Sequence, residues 1–225
     1  MKPLLSESDS QRIAAVVAEA EKMSGGEIAT AVIAESDDYG FRELAFALVV
    51  GFIVFTVTAL FDSSMEAFFS SLFWDFNSRL LPFIYSWIGL FFGALAYFLA
   101  QIPAVDRLIV PKKVMAAAVQ SRARRHFMEA GVYDTLDHTG ILIFVSLLEH
   151  RVELIADRGI NEKVDPEIWN SIVKKMIGKI SAGELSDAII DAVRESGDIL
   201  AEKIERRQND RNELDNSPQE LESGS

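Results

Sequence analysis

Two long runs without a charged side chain divide the sequence into three parts. They are residues 44–61 (LAFALVVGFIVFTVTALF) and residues 80–105 (LLPFIYSWIGLFFGALAYFLAQIPAV). Each run is close to the roughly 20 apolar residues that a helix needs to cross a bilayer. The pattern predicts a transmembrane hairpin over residues 43–105. The alternative is a pair of buried core helices in a soluble protein, but such helices normally show a polar face.

The segment between the two runs, residues 62–81 (DSSMEAFFSSLFWDFNSRLL), has a helical periodicity of its own. Its aromatic and aliphatic residues fall on one side of a helix, and aromatic rings suit the level of the lipid headgroups. We predict a short helix lying at the membrane interface. The alternative is a docking site for another membrane protein.

The flanking segments show the shorter apolar periods of a soluble domain. Apolar residues at helical spacing predict four helices, over residues 4–23, 112–130, 166–180 and 185–206. Short apolar or alternating runs predict three strands, over residues 27–34, 141–146 and 151–157. The predicted fold class is α/β, an α+β sandwich in which helices pack on a small sheet, with the two-helix transmembrane hairpin inserted after the first strand.

Size and composition define the domain boundaries. Residues 5–38 hold one helix and one strand, which is too little to bury a core alone. We therefore predict that they join residues 112–206 in one domain split by the hairpin. Residues 207–225 are polar, contain Pro218 and end in Ser-Gly-Ser, so we predict a disordered tail.

Charge and cysteine content exclude several classes of function. A net charge of −12 and a pI near 4.7 argue against a nucleic-acid partner. The absence of cysteine excludes disulfides, thiolate catalysis and cysteine-ligated zinc. Basic residues near the apolar runs set the expected orientation, with both termini in the cytoplasm and the 62–81 loop outside. One basic residue lies in that loop and the others lie on the terminal sides: Arg79 in the loop, and Arg42, Arg107, Lys112, Lys113, Arg122, Arg124 and Arg125 outside it.

Acidic loop residues are the candidates for cation binding. Asp134 and Asp137 lie in the turn before the strand at 141–146, and Asp37 and Asp38 follow the strand at 27–34. Carboxylate and carbonyl oxygens in a loop are the ligands that hard cations such as Ca²⁺ prefer. The alternative is that both loops are simply solvated. We expect all four aspartates to contribute to one site if the two strands are neighbours that end at the same edge of the sheet.

The histidines and the strand ends offer little further chemistry. His126, His138 and His150 share no helical spacing, so we interpret them as surface residues rather than metal ligands. Asp157 and Arg158 are candidates for phosphoryl chemistry only because they follow a strand close to the acidic turn. The interpretation that we favour is an ordinary pair at a strand end.

Residues 139–146 (TGILIFVS) and 151–160 (RVELIADRGI) resemble the TPM domain family. The shared pattern is a glycine before an apolar strand, a short turn, a second strand that begins with arginine, and another glycine. Residues 169–180 and 183–193 are similar to the C-terminal half of that domain, and residues 5–32 look like its first helix and strand. The sequence as a whole resembles short bacterial membrane proteins with a TPM domain.

The resemblance implies two kinds of function. The family includes thylakoid lumen proteins implicated in photosystem repair, and members described as acid phosphatases or calcium binders. It therefore implies either a non-enzymatic adaptor that helps maintain or assemble a membrane complex, or a metal-dependent phosphatase. The sequence has no glycine-rich phosphate loop, cysteine nucleophile or histidine pair, which favours the adaptor.

Two departures from the family affect these expectations. The acidic turn of the family often ends Asp-Asp-Gly, whereas residues 137–140 here read Asp-His-Thr-Gly. With one carboxylate missing, Ca²⁺ binding at Asp134 and Asp137 should be weak. Many relatives hold the domain outside the cytoplasm, whereas the charges here place it inside. The expected location is the bacterial inner (plasma) membrane, with two spans, and the expected partners are the lipid bilayer and a membrane protein.

Overall fold

The computed structural model describes residues 3–206 and 212–223. The chain divides into two compact units, a sheet unit of residues 1–37 and 113–225 and a hairpin unit of residues 38–112. In chain order the helices and strands are α1 (Glu7–Met23), β1 (Glu27–Ile33), α2 (Gly40–Leu60), α3 (Asp62–Leu72), α4 (Leu81–Ala100), α5 (Pro103–Ile109), α6 (Lys112–Glu129), β2 (Gly140–Ser146), β3 (Arg151–Ala156), α7 (Arg158–Asn161), α8 (Pro166–Ser181), α9 (Leu185–Lys203) and β4 (Gln219–Leu221).

The four strands form one mixed sheet in the order β3-β2-β1-β4. β1 and β2 run parallel, from Glu27 opposite Gly140 to Ile33 opposite Ser146. β3 runs antiparallel to β2, as the short turn between them requires. The predicted fold class, a small sheet with packed helices, is confirmed.

Helices cover both faces of the sheet, which explains why β1 and β2 are buried along their whole length. On one face α1, α8 and α9 pack on alternate strand residues such as Ile28, Val32 and Ile143. On the other face α6 packs on the intervening residues, among them Phe144, which is completely buried. The alternation of side chains along a strand therefore supplies two separate apolar clusters from two short strands.

Two polar residues, Ser6 and Asp165, cap the starts of α1 and α8. The Ser6 hydroxyl accepts a hydrogen bond from the Asp9 amide at 3.1 Å, and α1 follows. The Asp165 carboxylate accepts one from the Glu167 amide at 2.9 Å, with Pro166 as the first residue of α8. Such caps satisfy amide groups that have no partner within the helix.

The chain passes very close to the start of β2, and only glycine fits there. A Cβ atom on Gly140 would lie 2.2 Å from the carbonyl oxygen of Val132 and 2.7 Å from its side chain. Val132 is itself completely buried against α6. Gly140 therefore lets the turn after α6 fold back tightly onto the central strand.

The C-terminal tail differs from its prediction. Disorder was expected over residues 207–225, but residues 219–221 form β4, parallel to β1 and paired with Ala31, Val32 and Ile33. The segment is polar overall, yet Leu214 and Leu221 pack on the cluster beneath α6. The open edge of β1 supplies backbone partners that composition alone does not reveal. Residues 207–211, 224 and 225 lie outside the described residues.

The hairpin unit consists of two long apolar helices in close contact. A Cβ atom on Gly51 would lie 2.9 Å from the Gly89 carbonyl oxygen, and one on Gly89 would lie 2.9 Å from the Gly51 carbonyl oxygen. Small residues at such a crossing let two helix backbones approach each other closely. At one end of the pair the Tyr85 hydroxyl donates to the Asp62 carboxylate at 2.7 Å.

The prediction of two helices long and apolar enough to cross a membrane is confirmed; the crossing itself stays a prediction. The most apolar 18-residue stretch has a mean hydropathy of 2.3 in Gly40–Leu60 and of 1.8 in Ser78–Ala100. The short helix expected between them is also present, as α3, and its side chains at Phe68 and Leu72 are exposed. Its position at a membrane interface likewise stays a prediction.

Candidate functional site

The four aspartates expected to bind a cation do not come together. β1 and β2 are neighbours, but because they run parallel, Asp37 lies beyond the end of β1 whereas Asp134 and Asp137 lie before the start of β2. Seven-residue strands separate these ends by about 20 Å at the usual rise per residue. Asp38 accepts a hydrogen bond from the Gly40 amide at 2.8 Å, next to the start of α2.

Asp134 and Asp137 both lie on the surface, in the turn that leads into β2. Within residues 3–206 and 212–223, no group of three or more histidine or acidic side chains is placed to hold a metal ion. Any cation that binds here would therefore depend on backbone carbonyl oxygens and water as well as these carboxylates. Calcium binding at Asp134 and Asp137 stays a prediction.

The same turn contains an oriented imidazole. His138 has a left-handed backbone (φ 55°), and its Nδ1 atom lies 3.1 Å from the Tyr133 carbonyl oxygen and 3.1 Å from a carboxylate oxygen of Asp157. Both neighbours can only accept when Asp157 is ionised, so Nδ1 carries the proton of the neutral ring. Nε2 then holds the lone pair, which can accept a proton or bind a metal.

The backbone around this imidazole is tightly packed. The Gly159 amide donates to the His138 carbonyl oxygen at 3.0 Å, and a Cβ atom on Gly159 would lie 2.5 Å from the Asp137 carbonyl oxygen. Asp157 also accepts a hydrogen bond from the Arg158 amide at 2.7 Å and thereby begins α7. Asp157 and Arg158 are thus neighbours in a helix cap, and the side chain that Asp157 contacts across the turn is His138.

A second polar cluster lies at the opposite end of β1 and β2. The Glu149 carboxylate accepts hydrogen bonds from the Ser36 amide, at 2.9 Å, and from the Ser146 hydroxyl. Since the Ser146 proton points to Glu149, the Ser36 hydroxyl donates to the Ser146 hydroxyl oxygen, 2.7 Å away. All three residues are buried, and Ser146 has no exposed surface. The cluster ties together the loops after the two parallel strands and offers no accessible nucleophile.

A third cluster lies on the inner face of α6. Arg122 and His126, four residues apart, are both buried, and Arg122 donates to the Glu129 carboxylate at 3.2 Å. The His126 ring contacts Phe144, with 6.4 Å between ring centroids. The interpretation of His126 as a surface residue is therefore wrong: it is 3% exposed, because α6 turns this face toward β2.

Burial lowers the pKa of His126 below its ordinary value of 6.5, and nearby Arg122 lowers it further, while Glu129 partly opposes both effects. Well above pH 6.5 the ring is neutral in the folded and the unfolded chain. Below pH 6.5 the unfolded chain takes up a proton first, so the sheet unit loses stability as the pH falls. For one proton, the free energy of unfolding cannot change by more than about 1.4 kcal/mol per pH unit.

We expect His126→Phe to reduce this loss of stability between pH 7 and pH 5, because phenylalanine keeps a ring against Phe144 without a titrating group. Unfolding is followed by the fluorescence of Trp169, which is buried in the sheet unit, after Trp74 and Trp87 in the hairpin unit are replaced by phenylalanine.

The matched control is His150→Asn, at an exposed histidine with a left-handed backbone (φ 51°) that asparagine also adopts. Comparing its pH dependence with that of the parent shows how much of any change is specific to position 126. Burial raises the pKa of Glu153, opposed by Arg151 and Arg124, so this group changes stability in the opposite direction near its usual value of 4.5. The difference between the parent and His126→Phe removes that contribution, and identical slopes in the two proteins would contradict the assignment.

The fold is a mixed four-stranded sheet with helices on both faces, and two apolar helices lie between β1 and β2 in the sequence. A family model for the TPM domain matches residues 106–199, so the chain contains a TPM domain that follows the two apolar helices. The resemblance to the TPM family is confirmed for that region. The matched range begins after residues 5–38, whose place in the domain stays a prediction.

One solved structure is similar in fold. It is the NMR structure of the BA42 protein from the psychrophilic bacterium Bizionia argentinensis sp. nov., with a TM-score of 0.57, 14% sequence identity and 98% of each chain covered. At this identity the likeness concerns the fold alone. No curated protein matches the sequence.

Sequence reasoning missed the two buried clusters for different reasons. Ser36, Ser146 and Glu149 are far apart in the sequence, and only the parallel pairing of β1 with β2 brings them together. Arg122 and His126 look like part of a basic surface because charged residues surround them. Their spacing of four residues, in step with the buried Val119 and Ala123, is the signal that would have placed them on the inner face of α6.

Proposed function

We propose that the protein is an integral membrane protein whose TPM domain faces the cytoplasm and acts as a non-enzymatic adaptor in the maintenance or assembly of a membrane complex. One observation carries the membrane part of this proposal. Only 6% of the most apolar 18-residue stretch of Gly40–Leu60 is buried within the protein. The corresponding share for Ser78–Ala100 is 28%. Apolar surface of this extent needs a cover, and a bilayer provides it for helices of this length.

The adaptor role is supported by the kind of polar clusters present. Ser146 and Glu149 are buried and hydrogen-bonded to each other. His138 is hydrogen-bonded to Asp157, and none of the hydrogen bonds described for its ring involves a serine. A phosphatase needs a nucleophile or activated water together with groups that stabilise phosphoryl oxygens. The arrangement favours binding over phosphoryl transfer.

The proposed orientation predicts opposite results for two reporter fusions. A reporter enzyme active only outside the cytoplasm should stay silent when fused after Ser225, since Lys112 and Lys113 should hold that side of the hairpin inside. The same reporter inserted after Asp75, in the loop between the apolar helices, should be active. Activity at the C-terminus would contradict the orientation. Silence at both positions, with normal expression, would contradict the membrane crossing.

Affinity purification from detergent-solubilised membranes tests the adaptor role directly. Its matched control keeps the sheet unit and replaces residues 43–105 with an unrelated transmembrane hairpin. A partner recovered reproducibly with both proteins is bound by the TPM domain; a partner lost with the foreign hairpin is bound by the apolar helices.

The alternative, a metal-dependent phosphatase, is tested on the same purified protein. Turnover of a phosphomonoester, measured with added Ca²⁺ or Mg²⁺, should stay at the background rate. Turnover above background that disappears in Asp157→Asn or His138→Gln would overturn the adaptor proposal, because those two residues hold the oriented imidazole.

A further inference from the structure

The C-terminal segment, residues 212–223, contains the same short pattern twice. Glu213-Leu214-Asp215 and Glu220-Leu221-Glu222 both consist of a glutamate, a leucine and a second acidic residue, seven positions apart. Acidic residues of this kind are typical of solvated tails, so the repeat acquires meaning only from its contacts.

Both glutamates of the repeat bind backbone amides of the sheet unit. The Glu213 carboxylate accepts a hydrogen bond from the Leu136 amide at 2.9 Å. The Glu220 carboxylate accepts two, from the Leu4 amide at 3.0 Å and the Leu5 amide at 2.9 Å. Hydrogen bonds from amides to an ionised carboxylate are stronger than those between neutral groups. The two acidic positions are thus recognised by backbone geometry in two separate loops.

The leucines of the repeat also have equivalent contacts. Leu214 and Leu221 both pack on the cluster formed by β1, β2 and α6. The Leu214 amide donates to the buried Glu27 carboxylate at 3.3 Å, at the start of β1, and Leu221 pairs with Ile33 at its end. The segment therefore follows the whole length of β1 in the parallel direction and presents a leucine near each end.

Only a short part of the C-terminal segment pairs with β1. β4 contains only three residues, and Pro218 immediately before it has no amide hydrogen to donate. Short edge strands and prolines are features that limit pairing at a sheet edge. A competing strand without this proline can form a longer ladder on β1 while keeping the same glutamate and leucine contacts.

We propose that the edge of β1, together with the apolar cluster beside α6, is a binding surface for an extended segment of a partner protein with the pattern Glu-Leu-acidic repeated after seven residues. The C-terminal segment occupies this surface intramolecularly and competes with the partner. The partner adds to the sheet as a parallel strand, a known form of peptide recognition. The proposal rests on the adaptor function, since it names the partner chemistry that the TPM domain would recognise.

The test measures binding of a fluorescent peptide with the sequence of residues 212–223 to the purified full chain in detergent micelles. The wild-type chain is compared with Leu214→Ser/Leu221→Ser, which removes both leucine contacts and frees the surface. We expect the variant to bind the peptide at least tenfold more tightly than the wild type. A peptide carrying Glu213→Ala and Glu220→Ala should bind the variant at least tenfold more weakly, and empty micelles provide the blank.

Several results would overturn the proposal. They are absence of peptide binding by the folded variant, equal binding of the native and altered peptides, or equal binding by wild type and variant. If the variant loses the Trp169 unfolding transition, a chain ending at Arg206 replaces it. Loss of folding in that chain too would show that the segment is a permanent part of the core, which also rejects the proposal.

The outcome is independent of the test of the proposed function. Peptide binding uses only purified protein and a synthetic probe, whereas the adaptor role is judged by co-purification from membranes. If the protein bound the peptide but no partner co-purified from membranes, the adaptor role would be disproved and the binding surface would stand. A membrane partner recovered by a chain that ignores the peptide would do the reverse.

Discussion

Gly140→Ala is expected to destabilise the sheet unit by about 3 kcal/mol, the upper end of the usual effect of overpacking a core. The added methyl group would lie 2.2 Å from the Val132 carbonyl oxygen, so either the central strand or the turn after α6 must move. Neither can move freely, because Val132 and the residues that follow Gly140 in β2 are completely buried. The measurement is denaturant unfolding followed by Trp169 fluorescence.

Gly178→Ala is the matched control for this substitution. Gly178 lies inside α8, and a Cβ atom there meets no other atom within 4 Å. Alanine should stabilise the helix by about 0.5–1 kcal/mol, because it loses less conformational freedom than glycine. If both variants changed stability in the same direction and by similar amounts, the close contact of Gly140 with Val132 would not be what constrains the start of β2.

Replacing residues 38–112 with a flexible linker is expected to move the protein from the membrane to the soluble fraction. A Gly/Ser linker of about 20 residues has a root-mean-square span of about 25 Å. The sheet unit should keep its cooperative Trp169 transition, because residues 1–37 and 113–225 form one compact unit without the hairpin. The result is read from cell fractionation and from thermal unfolding of the soluble product.

Its control removes residues 1–37 from the linker protein. That deletion takes away α1 and β1 and exposes the parallel edge of β2, so the cooperative transition should disappear. If residues 113–225 alone melted at the same temperature with and without residues 1–37, the domain would not be split by the hairpin. If the linker protein remained in the membrane fraction, the apolar helices would not be the anchor.

The features that depend on local pattern could be predicted from the sequence. The uncharged runs predicted α2 and α4 from their length and composition. The short apolar runs predicted β1 and β2, because a strand covered on both faces is mostly apolar. The pairing of β2 with β3 was also predictable, since only a four-residue turn joins them. These elements follow from their own residues and need no knowledge of the rest of the chain.

Features that depend on distant pairing could not be predicted. The direction of β1 relative to β2 decides where Asp37 lies with respect to Asp134, and no residue in either loop encodes that direction. β4 is polar and contains too few residues for a period to be visible; its partner is an edge more than 180 residues earlier in the sequence. The buried His126 was missed because three neighbouring arginines hid a regular inner face.

The insertion of residues 38–112 between β1 and β2 delays the pairing of these two strands during synthesis. β1 leaves the ribosome long before its parallel partner, because residues 34–139 must be made first. At the usual rates of chain elongation this takes about 5–20 s, far longer than a helix or a hairpin needs to form. During that interval an apolar strand with no partner on either side is exposed in the nascent chain. The order of the elements along the sequence thus makes β1 a segment that needs protection, by a chaperone or by rapid handover at the membrane, before the sheet can close.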